Sequence, residues 1–298
     1  MILFTGASGF LGSNIFPLIK KVYGKVDTVG LLKNDTYYLN LADRVPSFND
    51  SYDIVIHAAG KAHAVPNNKN EEQQFFNVNL QGTKNLCKAL ESVGLPKAFI
   101  FISTVAVYGV EFGTDITEDH KLFGNTPYAK SKIEAEKFLM SWCKKNNIIL
   151  GILRPALIAG KNPPGNLGAM ISGIDSGHYF RIGNGSARKS ILMAEDIARV
   201  IPELIKVGGV YNVCDNHHPS FAELEEIISH QLSKSIPRSI PTWLAKLLAS
   251  TGDVLGNKFP INSDKLKKIT QPLTFSNEKA KRELDWEPLD VLQNFKIK

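Results

Sequence analysis

Residues 2–16 read ILFTGASGFLGSNIF: a short apolar strand, glycines at 6, 9 and 12, then a run of helical character. Glycines allow a tight turn and let backbone amides approach an anion, and a helix N-terminus adds positive potential. A bare GxxGxxG is weak evidence, because a glycine-rich turn that packs a helix onto a sheet looks the same locally. Here a strand precedes it, a helix follows it, and the whole opens an alternating β/α pattern. That context predicts a cradle for a dinucleotide pyrophosphate. Its candidate contacts are Gly6, Ser8, Gly9, Phe10, Leu11 and Gly12. Pro17 falls inside the helix and is expected to kink it.

Further strands are expected at 27–32, 53–57, 98–102 and 148–152, with helices at 10–22, 71–92 and 128–146. Continuous apolar strands separated by helices predict an α/β fold, a parallel sheet covered on both faces. After Arg154-Pro155 the texture changes. Residues 156–190 are rich in Gly, Pro and Asn, VYNVC at 210–214 returns to the sheet, and helices follow near 220–234 and 241–250. The expected division is a dinucleotide-binding domain over 1–155, to which 191–218 returns. A smaller C-terminal substrate-binding region is drawn mainly from 156–190 and 219–298.

The chain has 298 residues, 43% apolar and 21% charged, as soluble globular proteins do. No apolar run approaches the roughly 20 residues that span a bilayer, so no membrane partner is expected. Cys87, Cys143 and Cys214 are odd in number and widely spaced, as reduced thiols are. With a strand starting at the second residue and no basic leader, a cytoplasmic protein is expected. Net charge is +6; its densest cluster is KLKK at 265–268, and the rest reads as scattered. That footprint argues against nucleic acid and suits an anionic small molecule. His57, His63, His217 and His218 have no metal-ligand spacing, so no metal is expected.

NTPYAKSKIEAEKF at 125–138 begins as an ordinary capped helix, with Glu134 and Glu136 expected to face water. At 100° per residue, however, Tyr128, Lys132, Ala135, Leu139 and Trp142 share one face. A neighbouring ammonium one turn from a tyrosine, with a positively charged nicotinamide beside it, lowers the phenol's pKa and makes a proton acceptor. A snorkelling lysine beside a packing tyrosine is the plainer alternative. FIFISTVAVYG at 99–109 ends a strand with Ser103 and Thr104, on the side where open parallel sheets bind ligands. Lys33 stands about where such folds place an acid for the ribose, and Asp35 lies two residues on. Lys33 reads either as a contact to an NADP phosphate or as a solvated lysine. Asn40, Leu41 and Asp43 are placed to border an adenine, and the small residues Ala58, Ala59 and Gly60 let backbone pass close to a cofactor.

TGxxGxxG, HAA, NVNLQGT, STVAVYG, YAKSK and RPALIAG occur in an order that resembles the extended short-chain dehydrogenase/reductases. The nucleotide-sugar epimerases, dehydratases and 4-reductases are the most similar group. GNG (183–185), MAEDIA (193–198) and SNEKAKRELDWEP (276–288) agree with it. The resemblance implies a Rossmann-type doubly wound sheet and NAD or NADP as cofactor, undecided between the two. It further implies a nucleotide-sugar substrate and a homodimer through the helices at 71–92 and 128–146. It makes Tyr128 the base, Lys132 its partner and ribose contact, and Thr104 the catalytic hydroxyl, with Ser103 a neighbour. Asn79 and Pro155 match cofactor-side positions, although Asn79 is equally read as a helix residue bonding nearby backbone. Asn166 and Leu167 match the region that grips the nucleotide diphosphate. Arg181, Arg188 and Lys189 are its candidate cations, each otherwise a solvated side chain.

The 4,6-dehydratases in this group carry Asp-Glu directly after the catalytic Thr, where this chain has Val105 and Ala106. Neither can move a proton, which disfavours dehydration. C4 epimerisation of an NDP-hexose (a UDP-hexose or UDP-N-acetylhexosamine) through a 4-keto intermediate is the expected reaction. NADPH-dependent reduction of an NDP-4-keto-sugar uses the same residues and stays open. So does a non-catalytic dinucleotide-binding scaffold, although such relatives typically lose the Tyr-Lys pair.

Overall fold

The computed structural model describes residues 1–62, 65–255 and 262–297; His63 lies outside them. The strands are β1 Ile2–Thr5, β2 Val26–Gly30, β3 Tyr37–Tyr38, β4 Ile54–His57, β5 Ala98–Ile102, β6 Gly113–Ile116, β7 Ile149–Pro155, β8 Leu157–Ala159, β9 Arg181–Ile182, β10 Ile191–Met193, β11 Gly209–Val213, β12 Ser239–Ile240 and β13 Leu273–Phe275. The helices are α1 Phe10–Tyr23, α2 Lys69–Phe76, α3 Gly82–Val93, α4 Pro127–Lys145, α5 Gly165–Asp175, α6 Ala194–Val207, α7 Phe221–Gln231, α8 Thr242–Leu255, α9 Ser263–Thr270, α10 Glu278–Leu284 and α11 Val291–Asn294.

Seven strands form one parallel sheet in the order β11-β7-β5-β4-β1-β2-β3. β1 shows why its sequence is continuously apolar. Ile2 and Phe4 point into one layer with Ile15, Ile19 and Leu204, while Leu3 points into the other with Leu90, Phe99 and Leu139. A strand buried on both faces has no polar side to alternate. The first layer holds α1, α6 and α10, and the second holds α3 and α4. The α/β doubly wound sheet expected from the sequence is therefore present.

Several local expectations change. β2 ends at Gly30, and Leu31 and Leu32 are exposed in the turn that follows. The helix expected over 71–92 is α2, a π-turn at Asn77–Gln81, and α3. The wider turn sets Asn79 fully inside. Pro17 sits within α1, which continues to Tyr23 with Ile15 and Ile19 buried on either side.

The C-terminal region has its own core, where Leu167, Met170 and Ile174 of α5 meet Leu224 and Ile228 of α7. α7 opens with a capping box between Ser220 and Glu223. Ala280, Leu284 and Trp286 pack instead into the first sheet layer. Asp196 of MAEDIA, buried at the start of α6, pairs with Arg199 and accepts the Leu289 N–H at 3.0 Å. The late SNEKAKRELDWEP segment is thus fastened to the first sheet layer and to α6.

Candidate active site

The loop between β1 and α1 is built for an anion. α1 begins at Gly9 with no side-chain cap and no acid in its first turn. The amides of Phe10, Leu11 and Gly12 therefore lack intrahelical acceptors and point out of the helix end. Gly6 has φ +80°, and a Cβ there would lie 2.6 Å from the Ala59 nitrogen. Only glycine lets this loop touch the end of β4. The residues present fit a dinucleotide pyrophosphate.

At the neighbouring strand end, Asp35 rather than Lys33 takes the inner position. The Asp35 carboxylate accepts the Leu32 N–H at 2.9 Å and lies so close to Gly30 that a Cβ there would strike it. Lys33 is exposed in the same turn. Leu41 packs into the core, its carbonyl held by Asn85 at 2.8 Å. Asn40 closes its own turn, accepting from Ala42 and donating to Asp43.

Thr104 and Tyr128 come together across the ends of β5 and α4. The Thr104 hydroxyl stands close enough to that of Tyr128 to lower its pKa. The Thr104 hydroxyl also accepts the Ala106 N–H at 3.2 Å, which fixes its rotamer. The Tyr128 ring lies 6.2 Å from that of Phe75, centroid to centroid. Lys132 is buried, donates to the Ile102 carbonyl at 2.9 Å and sits 4.6 Å from the Phe101 ring centroid. A Cβ on Gly60 would meet both Lys132 Nζ and Asn79 Oδ1 at 3.1 Å, so these groups line one small space.

In the chain alone, Lys132 does not depress the Tyr128 pKa. Burial raises the phenol above its ordinary value, and the Thr104 hydroxyl opposes that only in part. The Lys132 ammonium is instead directed at the Ile102 carbonyl. Its own pKa is lowered to about 8 by burial, partly offset by Glu136.

Asn79 is a bracket. Its Oδ1 accepts the Lys61 N–H at 2.7 Å, and its Nδ2 donates to the Lys61 carbonyl and, at 2.8 Å, to Ser131. It ties the loop after β4 to α4. Beneath it runs a buried chain from Thr5 through His57 and Thr83. Thr83 donates to the Asn79 carbonyl, so it accepts from His57 Nε2, which leaves Nδ1 to accept from Thr5. Burial, then the charge of Lys132, holds His57 down to about 3 and therefore neutral.

Glu136, expected to face water, is 1% exposed. It is four residues beyond Lys132 and hence on the same face, a signal the helical period already carried. Its carboxylate accepts from the Ser103 hydroxyl and from Arg154 Nε and Nη2 at 3.2 and 2.7 Å. Arg154 also donates to the Tyr108 hydroxyl at 3.0 Å, which donates to Asn212 at 2.6 Å. This network joins α4 to β5, β7 and β11 behind the Thr104–Tyr128 pair. Pro155, next to Arg154, is buried at the end of β7.

The three candidate diphosphate cations differ. Arg181 pairs with the buried Glu225 at 2.5 Å. Arg188 donates to the His218 carbonyl at 2.7 Å and lies 3.5 Å from Glu223, on a groove with Thr114, Asp115 and Thr274. Lys189 is half-buried without an ion pair among the described residues, and burial alone lowers its pKa to about 8. It is the cation left wanting an anion. Asn166 is exposed in the first turn of α5, and the Leu167 side chain belongs to the C-terminal core. Among the described residues no cluster of His, Cys, Asp or Glu could hold a metal.

The model of the NAD dependent epimerase/dehydratase family matches residues 2–214, and the chain belongs to that family. It is 28% identical to the N-acetyl-alpha-D-glucosaminyl-diphospho-ditrans,octacis-undecaprenol 4-epimerase of Escherichia coli O157:H7, over 94% of this chain and 88% of that one. It is also 28% identical to a UDP-glucose 4-epimerase of Vibrio cholerae, over 98% and 92%. The crystal structure of the Thermus thermophilus UDP-glucose 4-epimerase in complex with NAD superposes with a TM-score of 0.72 at 20% identity, covering 96% of this chain and 93% of that one.

Two outcomes follow from the buried groups. Removing Glu136 strands a buried guanidinium, so E136A is expected to cost about 3–5 kcal/mol in urea unfolding. The double change E136L/R154M should cost less than the two single changes summed. His57 has a folded pKa below its unfolded value of about 6.5. Its contribution to stability is full above that pH and is lost as pH falls toward 3, by up to about 1.4 kcal/mol per unit. Stability measured against pH should therefore fall less steeply in H57N than in the wild type over that window.

Proposed function

We propose that the chain is an NAD-dependent epimerase that inverts C4 of a hexose or N-acetylhexosamine carried on a diphosphate, as in a UDP-sugar. The observation that carries this is the meeting of Thr104, Tyr128 and Lys132 beside a glycine cradle with an uncapped helix end. Both relatives named above are 4-epimerases, which supports the same reaction.

In this reading Tyr128 accepts the C4 hydroxyl proton and later returns it, while Thr104 holds the same oxygen by hydrogen bond. The bound nicotinamide supplies the hydride acceptor and donor, and in its oxidised form a positive charge beside Tyr128. That charge, rather than Lys132 alone, offsets the burial that raises the phenol. Lys132 would hold the ribose side of the cofactor, and Asn79 positions the loop beside it through Lys61 and Ser131. Asp35 takes the adenine-ribose hydroxyls, which favours NAD over NADP, since a carboxylate there repels a 2′-phosphate. Lys189 faces the diphosphate. Val105 and Ala106 stand directly after Thr104 and offer no acid or base for dehydration.

The reductase reading draws on the same three residues, and Asp35 weighs against its NADPH. Turnover of UDP-glucose and UDP-N-acetylglucosamine to their C4 epimers, followed by NMR, is the test. Y128F should lose about 10²–10⁴-fold in kcat while keeping bound cofactor. D35A should weaken NAD by about tenfold and leave K33A as the control without effect. Full turnover in Y128F would overturn the assignment of the base.

A further inference from the structure

Helix α8 is turned the wrong way round for a soluble surface. Its inner face is small: Ala245 and Ala249 pack against Leu266 of α9, beside Ile182 and Ile240. Its outer face is large and apolar. Trp243 is 69% exposed and Leu247, four residues on, 60%. Two further exposed apolar residues stand just ahead of the paired strands that lead into α8, Phe180 before β9 and Ile236 before β12. Single exposed apolar residues need no explanation, but a grouped set with an outward tryptophan does.

The segment around this face is mainly basic, although Lys234 pairs with Asp175 at 3.4 Å and Asp253 stands near the end of α8. Residues 232–252 contain Lys234, Arg238 and Lys246 and no Asp or Glu. Over 232–268 there are seven Lys and Arg against two Asp, a surplus of five in a chain whose net charge is +6. The basic residues are spread along the chain, but most of their net surplus over acids falls in this segment. Arg238 and Lys246 are exposed and make no ion pair among the described residues. Lys268 pairs with Glu111 at 3.0 Å, and Lys267 lies 5.4 Å from the Phe112 ring, in the loop that follows the Thr104–Tyr108 turn.

A helix with Trp and Leu outward and cations at its flanks matches the interface of an anionic bilayer in both of its terms. We propose that α8, with the strand β12 before it, docks the protein on the surface of an anionic phospholipid membrane, Trp243 and Leu247 entering the headgroup boundary. No helix among the described residues is long and apolar enough to cross a membrane, so the contact is superficial.

The test is flotation of the full chain with phosphatidylcholine vesicles, with and without phosphatidylglycerol. Trp142 and Trp286 are buried, so a blue shift of intrinsic fluorescence reports Trp243. The expected result is binding to the anionic vesicles about tenfold tighter than to the neutral ones, with a blue shift, weakened by salt. W243S/L247S should lose the shift and the binding, and R238Q/K246Q, which leaves the apolar face intact, should weaken binding about tenfold. Turnover of a soluble nucleotide sugar should be unchanged in both. No preference for anionic vesicles would overturn the proposal. So would a wild type that is oligomeric by light scattering and that W243S/L247S makes monomeric, because a second copy would then cover the face.

Discussion

Two opposite charges, one turn apart on the inner face of α4, govern the placement of the site. A charge taken out of water must find its partners or be neutralised, an ammonium by losing a proton and a carboxylate by gaining one. Lys132 finds the Ile102 carbonyl at the end of β5, and Glu136 finds Arg154 on β7 and Ser103 after β5. A slide of α4 along the sheet would break all of these bonds together. The register that satisfies them is the one that brings Tyr128 to Thr104.

The supports around that pair follow the same logic. Asn79 is fully bonded to Lys61 and Ser131, so it holds the loop after β4 at the distance Lys132 requires. The π-turn that carries it inward adds width to a helix that would otherwise turn it aside. The neutral His57 below completes a chain of hydroxyls without placing a second cation near Lys132.

The sheet, its parallel strands and the cradle were legible because each rests on local chemistry: apolar runs, glycine spacing and helix phase. That Tyr128 and Lys132 share a helix face was legible in the helix phase, whereas the choice of Thr104 over Ser103 came from the family resemblance. What was hidden depends on groups brought from far along the chain. Glu136 looks like a surface residue until Arg154, on another strand, is beside it. Lys33 sits at the expected count from the glycines, but β2 stops at Gly30 and the turn folds Asp35 back onto it. Arg181, Arg188 and Lys189 are alike in sequence, and only their partners, Glu225 and Glu223 for two of them, set the third apart. The net surplus of bases over acids in 232–268 was readable from the sequence by counting that segment.

The most direct test of the account is to purify the protein without added cofactor, denature it, and identify the released nucleotide by mass and amount. An enzyme that withdraws and returns a hydride within one turnover has to keep its cofactor through both halves. Close to one NAD per chain is the expected result. An empty protein that binds NADPH reversibly, or one holding NADP, would contradict both the role given to Asp35 and the epimerase reading.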